Sequence, residues 1–508
     1  MPTGDIRDSI SAGNVDVLRE KMQESRESFD DFVTTLNLAR LLQLEGNWKD
    51  SIMRYDDALA ILEAYEARAQ INVRELVADT GTILLARGAK PYYGTGYERS
   101  LLHTFNAINY VMLGDFSGAA VEMRKMEKRQ EYWLQESDAR IEENLKEGQR
   151  DANDLPIGYS MRDVLQSDAV RNLMNNYQDA FSYALSAIVL RIAGDVQAAD
   201  VSMRRAIVLD NQADALFRRA WTRPRFPQGA AGKPESLKTA RKKAKSGKGV
   251  KEEEFFVPPL EPLRLKSVGA NGAGQVAQAG RTQEVTVIAF SGLAPALKVE
   301  HVRTSVPRIG YILLDLPAYT RAMPGLTPYG EASSGAPLVF YPLLHTDRLA
   351  YRTLQDEVGF ELGSAISRAA VRAGIAASVY AGTRSSGNGP DAHDRRDRND
   401  RRDRNGRRGG DRHRGGGYDQ DDYAEAASLI TMMLLDWWTY SMSTSVRNWE
   451  TLPNVGYIAM TTVPHGSVIT VGEGGGRQSL PLPNDSRGVI IMLTVFSNAR
   501  MRMDYVTY

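Results

Sequence analysis

Three glycines set the pattern of the first half of this chain. Gly46-Asn47-Trp48, Gly114-Asp115-Phe116 and Gly194-Asp195-Val196 each follow an apolar, helically spaced stretch, namely 36–44, 101–113 and 180–192. Each also precedes a second such stretch: Ile52, Tyr55, Ala58 and Leu59; Ala119, Ala120 and Met123; Ala198, Ala199, Met203, Ala206 and Ile207. Glycine adopts the left-handed conformation that ends a helix. The Asn or Asp that follows caps the next helix. Small residues such as Ala119 and Ala199 let the two helices approach closely. The sequence therefore predicts helical hairpins. Gly46 and Gly114 are 68 residues apart, which leaves room for a degenerate hairpin beginning at 67–86. Gly114 and Gly194 are 80 apart, so that interval carries an insertion, with 134–154 read as a charged, solvated helix.

This pattern resembles the tetratricopeptide (TPR) repeat, a helix, turn and helix of about 34 residues. The resemblance implies an α-helical, TPR-like solenoid over 1–221. Such pairs cannot bury their apolar faces alone, and they stack into an array with a concave groove suited to peptides or partner helices. An ordinary helical bundle with Gly-Asp turns is the simpler alternative.

Bulk properties narrow the class further. A chain of 508 residues implies more than one core. Lys+Arg and Asp+Glu are both 63, so the overall charge favours neither a nucleic acid nor a membrane. There is no cysteine, which excludes disulfides, thiolate metal sites and a thiol nucleophile. The six histidines, His103, His301, His345, His393, His413 and His465, are too scattered for a helical metal pair. Residues 1–30 lack the apolar core of a secretory signal, and the longest apolar stretch, 426–440, is too short to span a bilayer and contains Asp436.

One loop stands out. Pro91-Tyr92-Tyr93-Gly94-Thr95-Gly96-Tyr97-Glu98-Arg99 places three tyrosines and two glycines before a helix. It lacks the spacing and the Lys of a phosphate loop. Tyr92, Tyr93, Tyr97, Glu98, Arg99 and His103 are the candidate partner-binding residues. The competing reading is a structural loop packing its tyrosines between hairpins.

Residues 222–280 read as a flexible linker, punctuated by prolines and carrying Lys233, Lys238, Arg241, Lys242, Lys243, Lys245, Lys248 and Lys251. This run is either a solubilising linker or a weak contact for polyanions or a membrane surface. A second low-complexity stretch, 384–422, holds Arg/Asp repeats and the pieces Arg408-Gly409-Gly410 and Arg414-Gly415-Gly416. Arg-Gly segments bind RNA by charge and stacking. Here the interleaved Asp394, Asp397, Asp400 and Asp403 cancel part of that charge, and the stretch reads as a disordered insert.

The remainder, 281–508, reads as a separate α+β domain. Strands are expected at 284–290, 310–316, 338–341, 455–462, 467–471 and 488–496, in a mixed or antiparallel sheet. Helical patterns at 345–381 and 422–442 suggest a long helical hairpin with the Arg/Asp insert at its tip. Neither a G-x-S-x-G elbow nor an H-E-x-x-H motif occurs. The sequence therefore assigns no catalytic residue, cofactor, metal ligand or small-molecule substrate.

Tyr97-Glu98-Arg99, Asn109-Tyr110, Leu113-Gly114-Asp115, Val121-Glu122-Met123-Arg124, Gly292-Leu293-Ala294-Pro295 and Arg447-Asn448-Trp449-Glu450-Thr451-Leu452-Pro453 form a familiar set. As a set they resemble an uncharacterised family of bacterial, outer-membrane-associated lipoproteins with an N-terminal TPR-like region. The likeness spans 40–220 and 284–500. It implies a periplasmic protein tethered to the outer membrane. The chain departs from that pattern in lacking a lipobox Cys and signal peptide and in carrying the Arg/Asp insert. The expected function is a non-catalytic protein-interaction scaffold of the bacterial cell envelope that binds a partner peptide or helix in its groove. The alternative is a nucleic-acid- or polyanion-binding protein that uses the Lys-rich linker and the Arg-Gly insert.

Overall fold

The computed structural model describes residues 3–12, 14–24, 31–76, 92, 94–146, 155–221, 282–306, 310–357, 362, 365–366, 447–473, 476–497 and 500–508. The Lys-rich linker, the Arg/Asp insert, the helix expected at 422–442, most of the one expected at 345–381, and Tyr93 lie outside the described residues.

The first half is helical. It comprises α1 (Thr3–Ala12), α2 (Val15–Glu24), α3 (Asp31–Glu45), α4 (Trp48–Leu76), α5 (Gly96–Met112), α6 (Phe116–Lys146), α7 (Arg162–Leu165), α8 (Asp168–Arg171), α9 (Ala180–Ile192), α10 (Val196–Leu209) and α11 (Asn211–Ala220). The three glycines sit where the sequence puts them, between α3 and α4, α5 and α6, and α9 and α10, with φ of 76°, 78° and 92°. Each turn closes with the same bond, from the amide of the residue after glycine back to a carbonyl in the last helical turn. The pairs are Asn47 N to Leu42 O, Asp115 N to Tyr110 O and Asp195 N to Leu190 O, all at 2.9 Å. This is the left-handed C-cap that glycine makes at little strain. Asp115 and Asp195 then cap the second helix, accepting from Gly118 N at 2.8 Å and Ala198 N at 3.2 Å.

Of the degenerate hairpin expected from 67–86 and the start of the next helix, residues 77–86 lie outside the described residues. α4 continues as one helix through 67 to Leu76. The insertion before the third pair is a long α6 followed by the short α7 and α8.

The second half is sheet-rich. Its strands are β1 (Thr282–Ser291), β2 (Leu297–Val306), β3 (Gly310–Tyr319), β4 (Tyr329–Ala332), β5 (Pro337–Leu338), β6 (Tyr341–His345), β7 (Val455–Pro464), β8 (Val468–Glu473), β9 (Gly476–Pro481), β10 (Gly488–Ser497) and β11 (Arg500–Thr507). One helix, α12 at 346–357, follows β6. Every strand read from the sequence has a counterpart, whereas β2, β4, β9 and β11 were not foreseen. The main sheet is mixed, in the order β11-β10-β1-β7-β6, with β1 and β10 parallel and the other pairings antiparallel. A four-stranded sheet runs β5-β4-β8-β9, and β2 pairs with β3 alone.

The main sheet is the middle layer. Side chains alternate along each strand, and the alternation sorts cleanly into two cores. Val285, Val287, Ala289, Ala459, Val489, Ile491 and Leu493 pack with Ile469 and Val471 of the smaller sheet. Ile288, Phe290, Ile458, Met460, Ile490 and Met492 face the other way, into a cluster with Phe105, Phe181, Ile188 and Phe217 of the helices. The helical and sheet-rich halves therefore share one core, a closer union than the separate domains the sequence suggested. The physical reason is that both faces of β1, β7 and β10 are apolar, so the sheet needs a cover on each side. Strand β11 lies along the first two glycine turns. The Arg502 guanidinium packs against Gly46 so closely that an added Cβ would lie 1.6 Å from its nitrogen, and Val506 lies against Gly114.

Candidate functional site

The inner face of the helical pairs is built around α3. That helix is buried on nearly all sides from Thr35 to Leu44, including the polar residues Asn37, Arg40 and Gln43. These recur every third residue and make a polar stripe along one side of an otherwise apolar helix. Each member has a defined task. Gln43 Nε2 donates to Phe105 O at 2.8 Å and to Asn109 Oδ1 at 2.7 Å. Asn109 Nδ2 donates on to Ser51 Oγ at 2.8 Å, and Ser51 Oγ donates to Ala39 O at 2.7 Å. The network joins α3, α4 and α5 in a setting where each lost bond is expensive.

Against this face lies the irregular segment 447–454, which leads into β7. The backbone N–H of Trp449 donates to Glu98 Oε1 at 2.7 Å, and that of Thr451 donates to Asn37 Oδ1 at 3.2 Å. The Trp449 indole is 1% exposed. It meets Tyr55 and Phe105 edge-on, with ring centroids 6.0 and 5.7 Å apart. Its Nε1 donates to Thr451 Oγ1 at 2.9 Å, so the burial leaves no indole N–H unmet. On its other side the segment is bound to the sheet half. Ala294 N donates to Leu452 O at 2.9 Å, Leu297 N to Asn448 Oδ1 at 3.1 Å, and Thr346 N to Asn454 O at 2.9 Å.

The five described residues of the six singled out in the sequence fall into two groups, neither of them an open surface. Glu98 is fully buried and serves three donors: Trp449 N, Thr95 N at 2.7 Å, and the Tyr92 hydroxyl. The bond from Thr95 N also caps α5. Tyr92 lies near Arg447, whose guanidinium sits 5.9 Å from the ring centre. Tyr97 is buried, and its hydroxyl is hydrogen-bonded with that of Tyr319 of β3. Burial, with the Glu98 carboxylate close by, raises the pKa of Tyr92 well above the usual phenol value. Burial and the neighbouring Tyr319 raise that of Tyr97 in the same way. Tyr92, Tyr97 and Glu98 thus face the chain's own C-terminal half.

Arg99 and His103 point elsewhere, into the helical half. Arg99 Nε donates to Gly94 O at 3.2 Å, and its NH1 lies 3.6 Å from Glu66 of α4. His103 Nδ1 lies 2.8 Å from Glu122 Oε2, with both side chains buried. Burial opposes ionisation of Glu122, but the His103 bond and Lys125 outweigh it and hold the carboxyl below its usual pKa. Among the described residues no group of His, Cys, Asp and Glu gathers in a way that could hold a metal. No helix among them is long and apolar enough to cross a membrane.

Asn37, which holds Thr451 N, escaped sequence reading, and Tyr55 and Phe105, which flank Trp449, were read only as part of the helical pairs. The signal present was the 447–453 motif itself, noticed for its resemblance and not for a contact. No family model, curated protein or solved structure matches the chain.

Proposed function

We propose that the chain is a non-catalytic protein-interaction scaffold of the bacterial cell envelope. Its helical pairs act as a TPR-like array that binds a peptide or helix on the inner face. One observation carries the reading. The inner face already holds a piece of irregular chain, 447–454, by accepting from two backbone N–H groups and enclosing an indole. Backbone capture with one deep aromatic anchor is how helical surfaces hold a peptide. A partner of the same chemistry, an indole followed two residues later by a free N–H, would occupy this face in place of the resident segment. The envelope setting, periplasmic and associated with the outer membrane, rests on the family resemblance.

The test uses the full chain carrying Trp449→Ala, with folding verified by circular dichroism. A synthetic peptide of residues 447–454 should bind this variant and raise its unfolding midpoint, while the same peptide with Ala in place of Trp449 should not. A folded variant indifferent to both peptides would remove the peptide-holding role. Fractionation of the native cells checks the setting: recovery with the cytoplasm would overturn it.

A further inference from the structure

The segment 447–454 divides its contacts between the two halves by position. Asn448 Oδ1 and Nδ2 meet Leu297 N and Pro295 O, Leu452 O meets Ala294 N, and Pro453 O accepts from Thr346 Oγ1 at 2.7 Å, all in the sheet half. Trp449 and Thr451 turn the other way and give their backbone N–H groups to Glu98 and Asn37. Residues two apart in an extended chain project to the same side. What the helical face reads is therefore a pair, the indole and the side chain two positions later.

The helical wall encloses the indole without giving its N–H an acceptor. Glu98 and Asn37 are committed to the two backbone N–H groups. Phe105 presents its ring, and Arg40 above that ring, 4.7 Å from its centre, has donors alone and directs NH1 to Gln43 Oε1 at 2.6 Å. Among the described residues the Tyr55 hydroxyl makes no hydrogen bond. The acceptor comes from the segment itself, Thr451 Oγ1, 2.9 Å from the indole nitrogen. Trp449 and Thr451 are each 1% exposed, so bulk water cannot take the place of that hydroxyl. A Trp buried here without it would carry an unmet donor into the interior. We infer that the face selects partners carrying Trp-x-Thr or Trp-x-Ser, with the hydroxyl brought by the partner, a specificity that rests on the peptide-holding role proposed above.

The experiment titrates four peptides into the full chain carrying Trp449→Ala, read by calorimetry. The first is 447–454 as it stands, the second carries Thr451→Ser and the third Thr451→Val. The fourth combines Thr451→Val with benzothienylalanine at the Trp449 position, whose ring sulfur replaces the indole N–H. The first two should bind alike. The third should bind roughly tenfold to a hundredfold more weakly. The fourth should recover most of that loss, because it has no donor left to satisfy. Equal binding of the third, or no recovery in the fourth, would overturn the selection and leave the peptide-holding role standing. No binding of the first would overturn both. If Trp449→Ala does not fold, urea unfolding of the otherwise intact chain decides. Thr451→Val should then unfold at a clearly lower urea midpoint than Thr451→Ser, and coinciding midpoints would overturn the inference.

Discussion

Glu98 shows how one carboxylate can decide a structure. It satisfies three donors in the interior, and replacing it strands all of them. Leaving a buried donor unmet costs about 1–3 kcal/mol each. Glu98→Ala should therefore destabilise the chain by roughly 3 kcal/mol or more in urea titration. A loss under about 1 kcal/mol would show that Trp449 is held without it. Two other groups set opposing pH effects. Burial raises Asp179 to about 6, against the pull of its bonds from Ser182. A raised acid binds its proton more tightly when folded, so its contribution favours folding at low pH and is lost as pH rises from about 4 to 6. Asp179→Asn keeps a capping oxygen, and its stability relative to wild type should be greater at pH near 7.5 than near 4. Burial, with Arg348 adding, lowers His345 to about 4. Its stabilising contribution is present above about 6.5 and is lost as pH falls toward 4, so His345→Gln should flatten that acid limb. Sequence alone marked Glu98 as a contact. It could not reveal that the partner lay 351 residues away in the same chain. Nor could it expose Arg40, because a polar residue at every third position of α3 looks like a solvated stripe.

Helical pairs were the most legible elements, because a glycine turn writes its geometry into three or four adjacent residues. The turns are not equivalent, however. Gly46 meets Arg502, whereas nothing lies within 4 Å of the position a Cβ would take on Gly194. Gly194→Ala should cost only the left-handed strain, on the order of 1 kcal/mol. Gly46→Ala should cost more, because Arg502 must also leave its place. Equal losses in paired denaturation curves would mean that β11 does not press on the first turn. The strands that escaped notice have clear reasons. β9 is a short, polar edge strand whose sequence, GRQSLP, carries weak strand propensity. β2 and β11, LKVEHVRTSV and RMRMDYVT, do alternate over part of their length and are the ones that period-two patterning could have found. The parallel pairing of β1 with β10 is a long-range event that no local pattern encodes.

For the molecule as a whole, the shared core changes what a fragment can do. Residues 1–221 alone would leave Tyr55, Phe105, Phe181 and Ile188 without Phe290, Ile458 and Trp449. The described halves should therefore melt together, as a single calorimetric transition probed equally by helix signal and by Trp fluorescence. Two separated transitions would show that the halves are independent after all. A change of composition at 222–280 was visible in the sequence, over residues that lie outside the described ones. The union of the two halves was not, because an apolar strand face carries no label for what covers it.

The order of strands has a consequence for how the protein is made. β10 sits between β1 and β11, and β11 reaches the first two glycine turns. Both strands follow every helix of the first half in the chain. The helices of the first half are thus made with their sticky sides bare, and they wait for a lid that strands encoded well after them supply. A cell that makes this protein must shelter a half-dressed intermediate, and stalled or truncated chains would be natural clients for its chaperones and proteases.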